Sequence, residues 1–121
     1  MKFLILFLYA ISTNAIAAEI YGYYSNINST LEEPSGYEVL FVKNGKPGRD
    51  NISVLFQRFE GWPKPPELLK CYNCASGAIT FESKVMGKFK GKVLNGALVG
   101  EFVDIGYSLN LPKSPSIWQR Y

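Results

Sequence analysis

The dipeptide Asn95-Gly96 lies between two segments of alternating character, Lys88–Leu94 and Ala97–Asp104. Asn-Gly favours the two-residue type I′ hairpin, because both central residues of that turn need positive φ. The turn sets a register in which Leu94 faces Ala97, Val93 faces Leu98, Gly91 faces Gly100 and Phe89 faces Phe102. Phe89, Gly91, Val93, Leu98, Gly100 and Phe102 then share one face, and Lys88, Lys90 and Lys92 share the other, with Lys90 opposite Glu101. A half-buried antiparallel pair needs one apolar and one charged face, so turn chemistry and hydrophobic pattern agree. The paired glycines predict a sharp bend, or a large side chain packed over them.

The rest of the chain repeats this theme. Turn signals recur every 8–12 residues, and no useful length shows a 3.6-residue period. Glu19–Tyr24, Tyr37–Lys43, Ile52–Phe59, Ala78–Lys84 and Tyr107–Leu111 read as further strands. Val39 to Val42 and Val54 to Phe56 are apolar on consecutive residues, which predicts cover on both faces of those strands, at least in part. Gly61–Ala75 is the least strand-like stretch, since Pro63, Pro65 and Pro66 exclude a central strand or a helix interior. A terminal Trp118 and Tyr121 are expected to dock on the core. The expected fold is all-β: an antiparallel meander of about seven to eight strands. It is expected to curl or close into a small barrel, because an open sheet exposes two edges.

Residues 1–17 have the pattern of a secretory signal peptide. Lys2 is followed by nine apolar residues, Phe3 to Ile11, and then by Ala15-Ile16-Ala17, a small-x-small cleavage box. The apolar run is shorter than the roughly 20 residues that a spanning helix needs. Residue 18 is alanine, so a lipoprotein anchor is not indicated. Cleavage near Ala17 leaves a single domain over 18–121, secreted or periplasmic, with its cysteines in an oxidising compartment.

Composition excludes much chemistry. The 121 residues include no histidine, so a Ser-His-Asp triad, a Cys-His pair and a His-ligated metal are impossible. Loss of the leader leaves 12 basic against 10 acidic residues, a balance too mild to argue for nucleic acid or an anionic membrane. No cofactor motif is present, no pair of carboxylates is placed at glycosidase separation, and no metal site is expected.

Four pieces carry a family resemblance: Gly36-Tyr37-Glu38-Val39 with Val54-Leu55-Phe56-Gln57; Gly61, Pro63, Pro66 and Leu69; Phe89-x-Gly91 with Leu98-x-Gly100-x-Phe102; and Leu109-x-Leu111 with Trp118-Gln119. In this order they resemble a group of small secreted bacterial proteins of unknown function with a lipocalin-like antiparallel barrel. The resemblance implies a fold and no activity, because calycin-like barrels serve as carriers, inhibitors and enzymes alike. The cysteine pair is not part of that pattern.

Candidate sites each have a plainer reading. Cys71-Tyr72-Asn73-Cys74 reads as a disulfide that pins a loop, worth about 2 kcal/mol for so short a closure. The alternative is a thiol–disulfide exchanger, although no helix is expected to follow the motif as such sites require. Trp62, on a proline-stiffened loop, could meet a partner, or could lid one barrel end while partly buried. Tyr72 and the other tyrosines could line a cavity, or simply fill the interior. Lys88, Lys90 and Lys92 could touch an acidic or envelope surface, or could serve as a solvated stripe that guards a strand against aggregation. The expected function is a non-catalytic, exported binding module for a protein partner or a small apolar ligand, acting near Trp62 and the cysteine loop. A redox protein and an envelope-associated structural protein are the alternatives.

Overall fold

A computed structural model of the chain describes residues 20–27, 33–47 and 51–119. The leader and Tyr121 lie outside them. Eight strands run in chain order: β1 (Gly22–Ser25), β2 (Ser35–Lys43), β3 (Ile52–Glu60), β4 (Glu67–Lys70), β5 (Ala78–Ser83), β6 (Gly87–Leu94), β7 (Ala97–Phe102) and β8 (Tyr107–Pro112). They form two antiparallel four-stranded meanders, β1-β2-β3-β4 (sheet A) and β5-β6-β7-β8 (sheet B).

The hairpin expected at Asn95-Gly96 is present in its expected register, with Gly91 opposite Gly100 and Phe89 opposite Phe102. Both turn residues have positive φ, 52° and 75°. The large side chain expected over the glycines is Phe89 itself. A Cβ on Gly91 would stand 2.9 Å from its ring, and one on Gly100 would stand 2.7 Å away.

Both sheets contribute to one core. Val39, Phe41, Val54 and Phe56 from sheet A meet Ile79, Phe81, Phe89, Leu98, Phe102 and Leu111 from sheet B, all at 1% exposure or less. Phe89 stacks on Phe81 at 4.7 Å and meets Phe102 edge-on at 5.4 Å. Phe56 joins the two sheets, 5.9 Å from Phe81 and 5.6 Å from Phe102. Aromatic side chains therefore fill the space where a barrel would hold a ligand.

The hydrogen-bonded ladder does not close into a barrel. Single bridges, Tyr72 to Thr80 and Tyr24 to Lys113, join the sheet edges. Two causes are local. β1 and β4 have only four residues each. Pro112 and Pro115 at the exit of β8 remove the N–H groups that a continuing ladder would use.

β4 falls inside the stretch that reads as least strand-like. The three prolines occupy the returning loop, where Lys64 N donates to the Arg58 carbonyl, and only Glu67–Lys70 pairs with β3. Across the gap to sheet B, Glu67 accepts hydrogen bonds from Ser83 Oγ at 2.6 Å and Lys84 N at 2.7 Å.

Candidate functional site

The cover expected on both faces of β2 and β3 is incomplete, and the bare part is a candidate site. The registers align Tyr23 with Leu40, Leu40 with Leu55, and Leu55 with Leu68. Val39, Phe41, Val54 and Phe56 take the inward positions, so period two turns this row outward. Leu55 is 37% exposed and Leu68 73% exposed. One apolar row thus crosses all four strands of sheet A on the outside of the molecule.

The C-terminal segment covers the neighbouring part of the same face. Glu38, 5% exposed, accepts Ser116 Oγ at 2.8 Å and the Ile117 backbone N–H at 2.7 Å. A short 3-10 turn, Ile117–Gln119, follows. Ile117 is buried with Ile27 and Phe59 in a small second core. Trp118 donates from Nε1 to Gln57 Oε1 at 3.0 Å and lies 5.8 Å from the Phe59 ring. Trp118 thus docks on the outside of sheet A rather than on the main core, and is 56% exposed. A cleft of about 380 Å³ lies between this segment and the apolar row, lined by Tyr23, Leu40, Leu55, Pro66 and Trp118.

The residues singled out in the sequence fall on three surfaces. Trp62 is 63% exposed, with Lys64 Nζ 4.8 Å from its ring centroid, so it is less buried than a lid would be. Trp62 and the cysteine turn lie at opposite ends of β4, about 20–25 Å apart along β3, so they do not form one barrel-end site. Tyr72 pairs with Thr80, which pairs with Lys90, which pairs with Glu101. This places Tyr72 on the same outer face of sheet B as Lys88, Lys90 and Lys92. Lys70 Nζ lies 5.2 Å from the Tyr72 ring centroid. Glu82, opposite Lys88, and Glu101, opposite Lys90, interleave acid with base on this face.

Cys71 and Cys74 form a disulfide with a Cα–Cα distance of 5.8 Å, within the single crossover between the sheets. Each is 1% exposed and belongs to the main core. Thiol exchange requires direct access to a sulfur, and both cysteines are buried. Among the described residues, no three His, Cys, Asp or Glu side chains group as metal ligands, and no helix is long and apolar enough to cross a membrane.

A second cleft, of about 560 Å³, opens where Tyr37 of β2, Arg58 of β3 and Tyr107 of β8 meet. Tyr37 lies parallel to Phe56, 6.1 Å away, and 5.6 Å from Tyr107. Burial, then the hydrogen bond and charge coupling to Tyr107, push the Tyr37 phenol up to about 12, partly offset by Arg58. The fold thus favours the protonated phenol. This stabilisation is fully present below pH 10 and is lost as pH rises through about 12. In an ultraviolet pH titration a step near pH 12 is expected that loses one tyrosine's amplitude in Tyr37→Phe. A high-pH step that persists unchanged in Tyr37→Phe would show that Tyr37 is not the phenol held protonated by burial and by Tyr107.

Compared with family models, curated proteins and solved structures, this chain matches none.

Sequence reasoning missed Glu38, Leu55, Leu68 and Arg58, and the outer face on which Trp118 docks; Tyr37 and Tyr107 it placed only among the tyrosines that could line a cavity, without their meeting at Arg58. A signal for the first surface was present: Leu40 and Leu55 are apolar residues out of phase with an otherwise alternating pattern.

Proposed function

We propose that the protein is a small exported recognition module, non-catalytic and of the lipocalin-like kind the resemblance implies, which binds a protein partner through the outer face of sheet A. The observation that carries this reading is the outward row Tyr23–Leu40–Leu55–Leu68 beside an interior already filled by phenylalanine rings. A filled interior weighs against a carrier of small apolar ligands. An apolar row flanked by an exposed tryptophan has the composition of an interface centre. The leader pattern and the Cys71–Cys74 disulfide support an oxidising compartment. Burial of both cysteines weighs against a redox role.

Burying one leucine side chain contributes about 1.5–3 kcal/mol, or roughly tenfold or more in affinity. The test is photo-crosslinking from position 68 in cells that export the protein, with position 90 on sheet B as control. One protein captured from position 68, and captured at least tenfold less in Leu55→Asp, is expected. No capture, or equal capture from position 90, overturns the reading.

A second reading, an envelope-associated protein using the basic face, is favoured by the alignment of Tyr72 with the Lys88, Lys90 and Lys92 stripe. It predicts salt-sensitive association with anionic vesicles.

A further inference from the structure

The cleft between Tyr37, Arg58 and Tyr107 is independent of the outer face of sheet A. We propose that it binds a neutral, hydroxyl-rich ligand: the sugar rings of a short oligosaccharide. Its volume, about 560 Å³, lies within the range of small-molecule sites.

Charge selects the ligand class. Arg58 Nη1 holds Glu60 Oε1 at 2.8 Å, and Lys64 Nζ lies 3.8 Å from Glu60 Oε2. Glu33 completes the charged lining. An anionic ligand would have to displace Glu60 from Arg58 and would meet Glu33 as well, and a cationic one would have to compete with Arg58 and Lys64 for Glu60. An apolar ligand would cover Arg58, Glu60 and Asn26 without offering them partners, which is costly. A neutral ligand with many hydroxyl groups avoids all three penalties, since each hydroxyl both donates and accepts.

The aromatic walls supply the second element. Tyr37 and Tyr107 are set at 56° to each other, and Tyr107 is 44% exposed. The C–H faces of a pyranose ring carry slight positive charge, and the face of a tyrosine ring is negative.

The site is also held in place before any ligand arrives. Asn26 N donates to the Tyr37 carbonyl at 3.2 Å, and Tyr37 N donates to Asn26 Oδ1 at 2.7 Å. This clamp requires a glycine at 36, because a Cβ there would come within 2.5 Å of Asn26 Oδ1. Glu60 engages Arg58 through an ion pair that is open to solvent on the Glu60 side. Little ordering is left for the ligand to impose.

The test is an NMR titration of the protein with neutral oligosaccharides: the tetraoses of cellulose, starch, chitin and xylan. Insoluble forms of the same polymers in sedimentation assays distinguish a surface glycan from a free one. Saturable shifts confined to the neighbourhood of Tyr37, Arg58, Gly61 and Tyr107 are expected for at least one sugar. Affinity should fall about tenfold in Tyr107→Ala and stay unchanged in Leu68→Asp. Glu33→Ala, at an exposed position, provides a second variant that leaves the fold intact and should also weaken binding. Absence of local shifts with every sugar overturns the proposal, as does binding that survives both Tyr107→Ala and Glu33→Ala. Loss of sugar binding in Leu68→Asp would place the sugar on the protein-docking face instead, and would also overturn it.

Discussion

Replacing Phe89 by alanine is expected to destabilise the protein by about 3–5 kcal/mol, the usual cost of emptying a phenylalanine site. The upper part of that range applies. Phe89 is fully buried, stacks on Phe81 and meets Phe102. The floor beneath its ring is Gly91 and Gly100, which have no side chains able to move into the void. A domain of this size has roughly 5–15 kcal/mol in total, so the variant loses about a quarter of its stability or more. Urea denaturation checks this as a fall in midpoint at unchanged slope. Lys90→Ala, on the opposite face of the same strand, should stay within about 0.5 kcal/mol of the parent. A cost below 1 kcal/mol for Phe89→Ala would mean that the ring does not close over the glycines.

Truncating Glu38 to alanine is expected to cost about 2–6 kcal/mol, although it removes a carboxylate and no core hydrocarbon. The side chain accepts from Ser116 Oγ and from Ile117 N, and all three residues are buried. Without it two donors lose their acceptor inside the protein, at about 1–3 kcal/mol each. The loss is local as well as global. The C-terminal segment is held to sheet A by these bonds and by the Trp118–Gln57 contact, so the Ile117 amide should exchange with solvent much faster in Glu38→Ala. Glu38→Gln keeps one carbonyl oxygen, and the Ser116 hydroxyl can rotate to accept from the new amide, so it should recover at least half of the loss. Equal effects of the two variants would show that side-chain bulk, not hydrogen bonding, holds the segment.

These two residues also mark what the sequence made legible. Phe89 could be placed from local information, because Asn95-Gly96 fixes a turn and the turn fixes six cross-strand pairs. Glu38 could not. Its partner lies 78 residues away, and an acid on a strand otherwise reads as solvent-facing. β4 escaped for a related reason: four residues after three prolines carry no pattern of their own, and their strand character comes from pairing with β3. The same limit hid which of the cavity-lining tyrosines come together. Arg58, Tyr37 and Tyr107 come from three separate strands, and no spacing in the chain announces that they meet. Only the surplus apolar residues Leu40 and Leu55 signalled that the outside of sheet A differs from an ordinary solvated face.

The central claim is that recognition occurs on the outside because the inside is full. The most direct test is an NMR titration with laurate, reading intermolecular NOEs to specifically labelled phenylalanine and leucine. The account predicts mutual contacts among Phe56, Phe81, Phe89 and Phe102 that the probe leaves unchanged, with probe contacts only to leucines on the outside, Leu40, Leu55 and Leu68 foremost. Probe contacts to Phe89 or Phe102 would contradict it, since they would mean that a ligand enters between the sheets.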